Sequence, residues 1–466
     1  MPKLLLINPA TESRGLSNLG STSWPPLNLP YLAALTPANY QIEVIDENIE
    51  PFIFQPADIV GITGYTSTIT RAYDIAQIYR EKGIATVIGG IHASMMPGEA
   101  ENYCDAVVIG EAEKIWPKLL EDFESGNLKK RYVGEWAGLE NMPLPRRDIL
   151  KNDFYKWGSI QTSRGCPMNC VFCSVTAFNG GRFRRRPLEA VIEELEQIPQ
   201  KKVMITDDNI IGYSQKDKDW AKAFFSRILE KGIKKHFFAQ TSIQFGEDAE
   251  LIRLAARAGV KIVLIGLESV DCATLKTYHK SINLVQFQRD QYHDSIARIR
   301  KAGIVIIGAF VLGSDDEDIS IFQSTLDFIE SSRIDVLQIT KLTPLPGTRL
   351  WDTFVKEDRI LNKDFPKAWR DYRFTKMVHK PAKMTIDDVY EGFTYLRNEY
   401  YGFWKTLKRT LSTFWASKNL ITTVIAYKTN MSYRKAFRDS EHSKMYNRPG
   451  LKKKFSVKKE DHLQKS

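Results

Sequence analysis

The sequence lacks the features of a membrane-spanning or secreted protein. In its 466 residues no uninterrupted apolar run reaches the roughly 18 residues that a spanning helix needs. The apolar stretch near the N-terminus is too short for a secretion signal. Disorder over most of the chain is also excluded, because 43% of the residues are hydrophobic and only 26% are charged. We therefore expect a folded, cytoplasmic protein of two or three domains.

Acidic residues are scarce at one end of the chain. Residues 401–466 contain 16 Lys or Arg but only 4 Asp or Glu. The net charge of the whole chain is +10, so the residues before this basic end are close to neutral. Such an end is typical of contact with an anionic membrane surface or a nucleic acid, but also of a solvated tail without a partner. The composition leaves these three interpretations open.

Cysteine is scarce too, and its spacing carries the strongest signal. Three of the five cysteines, Cys166, Cys170 and Cys173, fall within eight residues in the sequence SRGCPMNCVFC. An odd number and tight clustering argue against a disulfide scaffold and indicate metal or redox chemistry. The spacing C-x3-C-x2-C gives three thiolates to a [4Fe–4S] cluster and leaves its fourth iron open to another ligand. A structural zinc site would normally need four protein ligands, and neither a paired CxxC nor a nearby histidine supplies the fourth.

Short apolar strands alternate with amphipathic helices near the N-terminus. The predicted strands cover residues 3–8, 41–46, 57–63, 85–90 and 106–111, and a predicted helix covers residues 70–83. This alternation is typical of βαβ units around a parallel sheet, so we predict a Rossmann-like domain over residues 1–125. In such a sheet, ligands bind at the carboxyl ends of the strands.

A second alternation follows a proline-punctuated linker at residues 126–155. Six predicted strands cover residues 159–163, 202–207, 236–241, 261–268, 305–313 and 336–343, and predicted helices between them include residues 187–198 and 249–259. Repeats of this kind predict a parallel, partial (β/α)6 barrel over residues 156–350. The expected fold class is therefore α/β.

The repeats stop after residue 350, and residues 351–449 are predicted to be mainly helical. Residues 385–415 form one predicted helix in which apolar residues recur at steps of three and four. This stripe comprises Val389, Phe393, Leu396, Tyr400, Trp404, Leu407, Leu411 and Phe414. It is typical of a helix packed on a core or, with the interleaved basic residues, of a lid or a lipid-facing surface. Residues 450–466 are predicted to be a basic, disordered tail.

The cysteine loop, with Phe172 directly before its third cysteine, resembles that of radical S-adenosylmethionine enzymes. The resemblance implies that Cys166, Cys170 and Cys173 are the metal ligands of a catalytic [4Fe–4S] cluster whose open iron binds S-adenosylmethionine. It also implies reductive cleavage of S-adenosylmethionine to a radical that takes hydrogen from an unactivated carbon. The cofactor-binding residues implied at the ends of the following strands are Asp207, Asp208, Gln240, Thr241, Glu268 and Gly308. Of these, Asp207 or Asp208 would accept a hydrogen bond from the methionine ammonium, unless it caps the next segment instead.

The order of a βαβ domain and then a barrel is similar to the cobalamin-binding group of these enzymes, as are residues 24–35 (WPPLNLPYLAAL) and 87–94 (VIGGIHAS). The resemblance implies cobalamin at the strand ends of the first domain, where small residues let a nucleotide tail lie against the backbone. The residues implied there are Gly64, Thr66, Ser67, Gly89, Gly90, His92, Gly110 and Glu111. The cobalt-ligating D-x-H-x-x-G motif of many corrinoid proteins is absent, and His92 lies in a different loop, so we do not expect it to ligate cobalt.

The resemblance implies a cobalamin-dependent C-methyltransferase that acts on an unactivated carbon. The aromatic and basic C-terminal region indicates a large apolar substrate, such as a lipid, an isoprenoid or a tetrapyrrole. The alternative is a radical cyclase, or a C–C coupling or oxidative enzyme, that transfers no methyl group. A non-catalytic iron–sulfur or corrinoid carrier is disfavoured, because three cysteines rather than four leave one iron open.

The expected partners follow from the same observations. The chemistry requires an electron donor such as flavodoxin or ferredoxin. The basic C-terminal region favours peripheral contact with the inner face of the membrane over binding of nucleic acid. Binding of RNA with a steep salt dependence would reverse that preference.

Overall fold

The computed structural model describes residues 1–11, 24–288, 290–438, 445–446 and 450–455. The chain divides into two compact units. The first unit comprises Met1–Tyr213, Glu230–Lys235 and Thr343–His379, and the second comprises Ser214–Leu229, His236–Leu342 and Lys380–Ser466. Each unit is therefore built from three separate stretches of the chain.

The N-terminal part of the first unit is a parallel sheet, as predicted. Its elements are β1 (Lys3–Asn8), α1 (Asn28–Leu35), β2 (Gln41–Asp46), β3 (Ile59–Thr63), α2 (Ile69–Arg80), β4 (Ala85–Gly89), α3 (Ile91–Met95), α4 (Pro97–Ala100), β5 (Ala106–Ile109), α5 (Trp116–Glu124) and β6 (Arg131–Val133). The strand order is β2-β1-β3-β4-β5-β6, and neighbouring strands are parallel. Because the order reverses between β1 and β3, a ligand crevice is expected at the carboxyl ends of these strands.

Two hydrophobic cores cover the two faces of this sheet. Leu5 and Ile7 of β1 pack with residues of α2 on one face, whereas Leu4 and Leu6 pack with residues of α1 and α5 on the other. All four leucine and isoleucine side chains are fully buried. A parallel strand covered on both faces is apolar throughout, which explains why the sequence reveals β1 so clearly.

The predicted linker at residues 126–155 contains a strand that the sequence analysis missed. Strand β6 pairs with β5 and adds an edge to the first sheet. Only its central residue, Tyr132, is buried, and the Tyr132 hydroxyl donates to Asp122 at 2.9 Å. Three residues are too few for a periodic pattern to indicate a strand.

The region predicted as a barrel forms all six expected strands and a short additional pair. Its elements are β7 (Gly158–Ile160), β8 (Ser163–Arg164), α6 (Ser174–Asn179), β9 (Arg184–Arg185), α7 (Leu188–Gln197), β10 (Lys202–Ile205), α8 (Gln215–Glu230), β11 (His236–Thr241), α9 (Ala249–Ala258), β12 (Val260–Glu268), α10 (Cys272–Thr277), α11 (Ser281–Gln288), α12 (Tyr292–Lys301), β13 (Val305–Leu312), α13 (Ser320–Ser332) and β14 (Val336–Lys341). In the first unit β7 and β10 are parallel, and β8 and β9 are antiparallel. In the second unit β11, β12, β13 and β14 pair in that order, all parallel. The predicted α/β class is confirmed.

Helices follow β14, but not as the single helix predicted for residues 385–415. The helices are α14 (Arg349–Lys356), α15 (Ile386–Tyr400), α16 (Phe403–Ser417), α17 (Leu420–Arg438) and α18 (Leu451–Phe455). The prediction of one helix is wrong because Gly402 adopts an extended backbone and separates α15 from α16. Among the described residues, no helix is long and apolar enough to cross a membrane.

The predicted apolar stripe divides at the same glycine. Val389 and Leu396 of α15 are buried, whereas Trp404 and Leu411 of α16 are exposed. The core interpretation therefore holds for α15, whereas in α16 the stripe is exposed and the lid or lipid-facing interpretation stays a prediction.

The predicted disordered tail at residues 450–466 is wrong at its start. Leu451 and Phe455 of α18 are buried, and the Phe455 ring packs edge-on against Phe322 with centroids 5.4 Å apart. Apolar burial holds this helix despite its three lysines. Residues 456–466 lie outside the described residues.

A late segment of the chain, Thr343–His379, completes the first unit. Trp369, Tyr372 and Val378 are buried in the hydrophobic core beside α2 and β3. The Trp369 indole N–H donates to both carboxylate oxygens of Glu99, at 3.0 and 3.1 Å. The core of the N-terminal sheet thus includes residues that lie more than 200 positions later in the sequence.

Candidate active site

A cavity of about 890 Å³ lies in the first unit, where the strands of its sheet end. Strands β1, β3, β4 and β5 all contribute to its wall. The residues at or directly after their carboxyl ends are Asn8, Thr63, Gly64, Gly89, Gly110 and Glu111. A wall of backbone and small side chains at such a sheet edge suits a nucleotide-bearing ligand.

The flanks of the cysteine loop form another part of the same wall. Arg164 and Gly165 precede Cys166, and Ser174 and Val175 follow Cys173. The segment after β14 adds Leu345, Pro346, Tyr372 and Phe374. One cavity therefore joins the strand ends of the N-terminal sheet to the cysteine loop.

The cysteine loop runs from the end of β8 to the start of α6. Cys170 is buried, and Cys166 and Cys173 are partly exposed. The Tyr213 hydroxyl donates a hydrogen bond to the Cys166 Sγ at 2.8 Å. The backbone N–H of Leu350, in α14, donates to the carbonyl of Val171 at 3.1 Å and helps to fix the middle of the loop.

The donor set of this loop fits an iron–sulfur cluster. In the described part of the chain, no three His, Cys, Asp or Glu side chains converge on a point where they would hold a single metal ion. A cubane cluster does not require such convergence, because each thiolate binds a different iron. Three soft thiolates with a hydrogen-bond donor beside one of them match that chemistry.

Asp207 and Asp208 both follow β10, but their surroundings differ. Asp207 is buried and accepts hydrogen bonds from the backbone N–H of Thr162 at 2.6 Å, the Thr162 hydroxyl at 2.5 Å and the Ser163 hydroxyl at 2.6 Å. Its carboxylate therefore fixes the chain that leads into the cysteine loop. Asp208 lines the cavity instead. The Asp208 side chain is exposed to the cavity, so the surrounding protein desolvates its carboxyl only in part. This partial desolvation and, second, the charge of Asp207 raise the pKa of Asp208 to about 6. A cation in the cavity would be stabilised beside this carboxylate.

Glu111 is the centre of a buried ion-pair network in the cavity wall. Arg184 donates to both of its carboxylate oxygens, at 2.5 and 2.8 Å, and Arg164 lies 3.3 Å away. Burial alone would raise the pKa of Glu111, but the two arginines outweigh burial and hold the pKa below its usual value. Glu111 therefore links the end of β5 to Arg164, which precedes the cysteine loop, and to Arg184 in β9.

Seven of the eight residues predicted to bind cobalamin line the cavity. They are Gly64, Thr66, Ser67, Gly89, Gly90, Gly110 and Glu111. The structure places the eighth, His92, elsewhere: its fully buried ring lies 3.3 Å from the Thr66 hydroxyl and 3.3 Å from Glu99, and packs edge-on against Trp369. His92 therefore braces the loops rather than lining the cavity, and its predicted contact with cobalamin stays a prediction.

Gly90 shows why this wall consists of backbone. Its φ of 100° lies in the region that favours glycine. A Cβ atom at Gly90 would lie 2.9 Å from the carbonyl oxygen of Gly64 and 3.1 Å from the Thr63 hydroxyl. The loops after β3 and β4 approach so closely that a side chain does not fit between them.

The remaining predicted residues belong to the second unit. Gln240 and Thr241 end β11, and Glu268 ends β12. Glu268 has a φ of 68°, which is rare for a residue with a side chain, and accepts a hydrogen bond from Lys280 at 2.7 Å. Such strained backbone concentrates at functional sites, so Glu268 stays a candidate.

Gly308, in β13, is explained by packing without any contact with a cofactor. A Cβ atom there would lie 3.0 Å from the Ile334 side chain and 3.3 Å from that of Leu267. Packing within the second unit is enough to account for a glycine at this position.

Several aromatic residues of the site were not predicted from the sequence, among them Tyr213, Tyr372 and Phe374. Tyr213 contacts Cys166, and Tyr372 and Phe374 line the cavity. The two cavity residues lie in irregular chain after α14, where no periodic pattern singles them out. Tyr213 lies a few residues beyond the recognised Asp207–Asp208 pair, and that proximity was the only available signal.

Two family models match the chain. The radical SAM superfamily matches residues 160–329, and the B12 binding domain matches residues 20–120. The first match contains the cysteine loop, and the second contains most of the strand ends that line the cavity.

Named methyltransferases resemble the chain over most of their length. The bacteriochlorophyllide d C-12(1)-methyltransferase of Chlorobaculum tepidum is 30% identical over 87% of this chain and 89% of its own. The bacteriochlorophyllide d C-8(2)-methyltransferase of the same organism is 31% identical over 88% and 92%. The hopanoid C-2 methylase of Rhodopseudomonas palustris is 26% identical over 73% and 66%.

Solved structures share the fold. The radical S-adenosylmethionine methyltransferase TsrM from Kitasatospora setae has a TM-score of 0.63 and 18% identity, over 77% of this chain and 76% of its own. The cobalamin-dependent enzyme OxsB has a TM-score of 0.68 and 16% identity, over 93% and 71%. With both domains matched and two methyltransferases similar over nearly their full length, this chain belongs to the family of cobalamin-dependent radical S-adenosylmethionine methyltransferases, whose cofactors are a [4Fe–4S] cluster, S-adenosylmethionine and cobalamin.

Proposed function

We propose that the chain methylates an unactivated carbon of a large apolar substrate, either a lipid of the isoprenoid class or a tetrapyrrole. The observation that carries the proposal is the single cavity shared by the strand ends of the N-terminal sheet and the flanks of the cysteine loop. When bound, the cluster and S-adenosylmethionine supply radical chemistry and cobalamin supplies a methyl carrier. Methyl transfer to a carbon radical needs both at one site.

Different residues of the chain would hold the cluster, S-adenosylmethionine and cobalamin. Cys166, Cys170 and Cys173 would hold the cluster. Asp208 would accept a hydrogen bond from the methionine ammonium, while Asp207 positions the loop that carries the cysteines. The seven cavity-lining residues at the strand ends would hold cobalamin. Gln240, Thr241 and Glu268 remain candidates for the rest of S-adenosylmethionine.

Two observations support an apolar substrate. The named relatives act on bacteriochlorophyllide d and on hopanoids, which are a tetrapyrrole and an isoprenoid lipid. The cavity wall includes the aromatic side chains of Trp24, Phe178, Tyr372 and Phe374. Aromatic surface of this kind binds flat or apolar ligands well. Members of the family act on small molecules and take electrons from a reductant, and we infer a flavodoxin or ferredoxin in that role.

The experiment is turnover with a labelled methyl group. The full chain is purified anaerobically, reconstituted with iron, sulfide and cobalamin, and incubated with a reductant and S-adenosylmethionine whose methyl group carries deuterium. A hopanoid and a bacteriochlorophyllide are offered as substrates. We expect one product to gain a single labelled methyl group by mass spectrometry. A product that has lost hydrogen without gaining carbon would replace methyl transfer by cyclisation or oxidation.

Cysteine variants provide the matched control. Cys170→Ala should abolish both cleavage of S-adenosylmethionine and methylation, because one iron loses its ligand. Cys272→Ala changes a cysteine at the start of α10, outside the loop, and should keep full activity. Full activity of Cys170→Ala would refute the assignment of the cluster.

A further inference from the structure

Helices α16 and α17 of the second unit carry exposed apolar side chains on their outer surface. Trp404, Leu411 and Trp415 recur on one side of α16 at helical spacing, and Phe403 begins the helix. Leu420 and Ile421 begin α17 beyond a two-residue turn. We call these six residues the outer face. The exposed fraction is 76% for Trp404 and 66% for Trp415, which is high for the largest apolar side chain.

The side of α16 that faces the protein is polar, which reverses the usual pattern, whereas the inner side of α17 combines buried polar residues with Ala426 and Tyr433. Thr413 donates to the Asp335 carboxylate at 2.7 Å, and Asn430 donates to the Asp335 carbonyl at 2.8 Å. Thr422 donates to the carbonyl of Gly303 at 2.8 Å. These three side chains and Asp335 are buried. Helices of a water-soluble protein normally bury their apolar side and expose the polar one. The reversed pattern of α16, together with the exposed apolar residues that begin α17, favours coverage of the outer face by an apolar phase.

The charged residues of α16 and α17 themselves have one sign, although Lys405 pairs with Glu330 at 2.9 Å and with Glu399 at 3.1 Å. Residues 402–438 contain eight Lys or Arg and no Asp or Glu. Lys408, Lys418 and Lys428 are exposed, and the Lys418 ammonium lies 4.3 Å from the Trp415 ring centroid. Aromatic side chains interleaved with lysines are typical of helices that lie in the interface of an anionic bilayer.

We propose that the outer face seats the enzyme on an anionic lipid bilayer, with α16 and α17 lying in the interface and the lysines on the headgroups. Neither helix is long and apolar enough to span a membrane, so the contact is peripheral. A second copy of the chain is a less suitable partner for the outer face. A symmetric contact would place the lysines of one copy against those of the other, and these like charges would repel. The proposal concerns where the enzyme binds and does not depend on the reaction proposed above.

Flotation with vesicles tests the proposal without turnover. The full chain is mixed with vesicles of equal parts phosphatidylcholine and phosphatidylglycerol, and with vesicles of phosphatidylcholine alone. We expect clear binding to the anionic vesicles only. Moving one aromatic side chain from water into an apolar phase changes a partition constant about tenfold or more. The double variant Trp404→Gln, Trp415→Gln should therefore bind about a hundredfold more weakly.

Matched variants distinguish vesicle binding through the outer face from nonspecific adsorption of the protein. Phe154 is 60% exposed, like Phe403, but lies outside the outer face, so Phe154→Gln should leave vesicle binding unchanged. Lys408→Gln with Lys418→Gln should weaken binding to anionic vesicles by about 25-fold, since each basic residue near the surface contributes about fivefold. Lys216→Gln changes an exposed lysine of α8 and serves as the control for charge.

Two results of the flotation experiment would contradict binding of the outer face to a bilayer. Failure of the native chain to float, or equal flotation of the Trp404→Gln, Trp415→Gln variant with an unchanged melting temperature, would overturn the proposal. Sedimentation velocity of the same samples tests whether a second copy of the chain, rather than a bilayer, covers the outer face. A native dimer that this variant converts to a monomer, with no vesicle binding by either protein, would identify the outer face as an interface between copies.

Discussion

The hydroxyl of Tyr213 lies 2.8 Å from the Sγ atom of Cys166 and donates a hydrogen bond to it. Burial first, and then the charge of Cys166, raise the pKa of Tyr213, so the hydroxyl stays protonated and remains a donor. Phe183 packs edge-on against the Tyr213 ring, with centroids 5.4 Å apart, and helps to fix its position. Tyr213 would therefore position Cys166 as a ligand of the cluster.

Removing this hydroxyl should lower the reduction potential of the cluster. A hydrogen bond to a ligand sulfur stabilises the more negative, reduced state, so Tyr213→Phe should make reduction harder. Redox titration of the reconstituted enzyme, followed by electron paramagnetic resonance, measures the shift. Tyr132→Phe removes another buried tyrosine hydroxyl, bonded to Asp122, and should leave the potential unchanged. Equal potentials for Tyr213→Phe and the native enzyme would contradict the assignment.

Asp208 should control the affinity for S-adenosylmethionine. Losing a charged hydrogen-bond partner of the ammonium should weaken binding about 10- to 100-fold in Asp208→Asn. Because the pKa of Asp208 is about 6, native affinity should rise as pH increases through 6, whereas the affinity of Asp208→Asn should stay flat. Equilibrium dialysis with labelled S-adenosylmethionine measures both. A pH dependence retained in the variant would assign the titration to another group.

The raised pKa of Asp208 also predicts how the free energy of unfolding depends on pH. Its pKa is about 6 in the native state, against an ordinary value of 3.8, so between these values the native state binds more protons than the unfolded state. The contribution of Asp208 to stability is therefore present below this window and lost as pH rises through it. Urea unfolding of the cofactor-free chain should show a smaller loss of stability between pH 4 and 6 for Asp208→Asn than for the native chain.

Gly90→Ala should cost more stability than a glycine substitution with free space around it. The new Cβ would meet Gly64 and Thr63, and the positive φ adds strain, so we expect a loss of about 2–4 kcal/mol. Gly83 has a φ of 74° but no atom within 4 Å of its Cβ position, so Gly83→Ala should cost only about 1 kcal/mol. Urea unfolding measures both. Equal losses would mean that the close approach of the two loops contributes nothing.

Arg184→Met should strongly destabilise the first unit. It leaves the buried Glu111 carboxylate with one arginine instead of two, and breaking a buried ion pair costs about 3–5 kcal/mol. Adding Glu111→Gln should restore part of the loss, because no unpaired charge then remains. The exposed pair Arg146–Asp148 is the control, and Arg146→Met should cost less than about 1 kcal/mol. Recovery in the double variant distinguishes an ionic effect from lost packing.

The sequence predicted those parts of the fold that depend on local pattern. Strand β1 is apolar throughout because both of its faces are buried, and Cys166, Cys170 and Cys173 are recognisable from spacing alone. The parts that it missed depend on contacts between distant residues. Strand β6 exists because β5 offers an edge, and the buried ring of His92 lies 3.3 Å from both Thr66 and Glu99.

The break in the C-terminal helix was a different kind of error. Apolar residues continue at helical spacing across Gly402, although the side that they mark is buried in α15 and exposed in α16. Periodicity reports which residues share a side of a helix, but not whether protein or another phase covers that side. The hydrogen bonds of Thr413, Thr422 and Asn430, together with the exposure of Trp404 and Trp415, show which way α16 and α17 face.

The return of Thr343–His379 to the first unit limits how this enzyme can be recombined with its relatives. Trp369 fills the core beside α2 and holds Glu99, so the N-terminal sheet is not a self-sufficient module. A chimera that exchanges only residues 1–125 would set one protein's Trp369 against another protein's core. Exchange of cofactor domains within the family must therefore transfer both segments together, and the two are expected to change in concert during evolution.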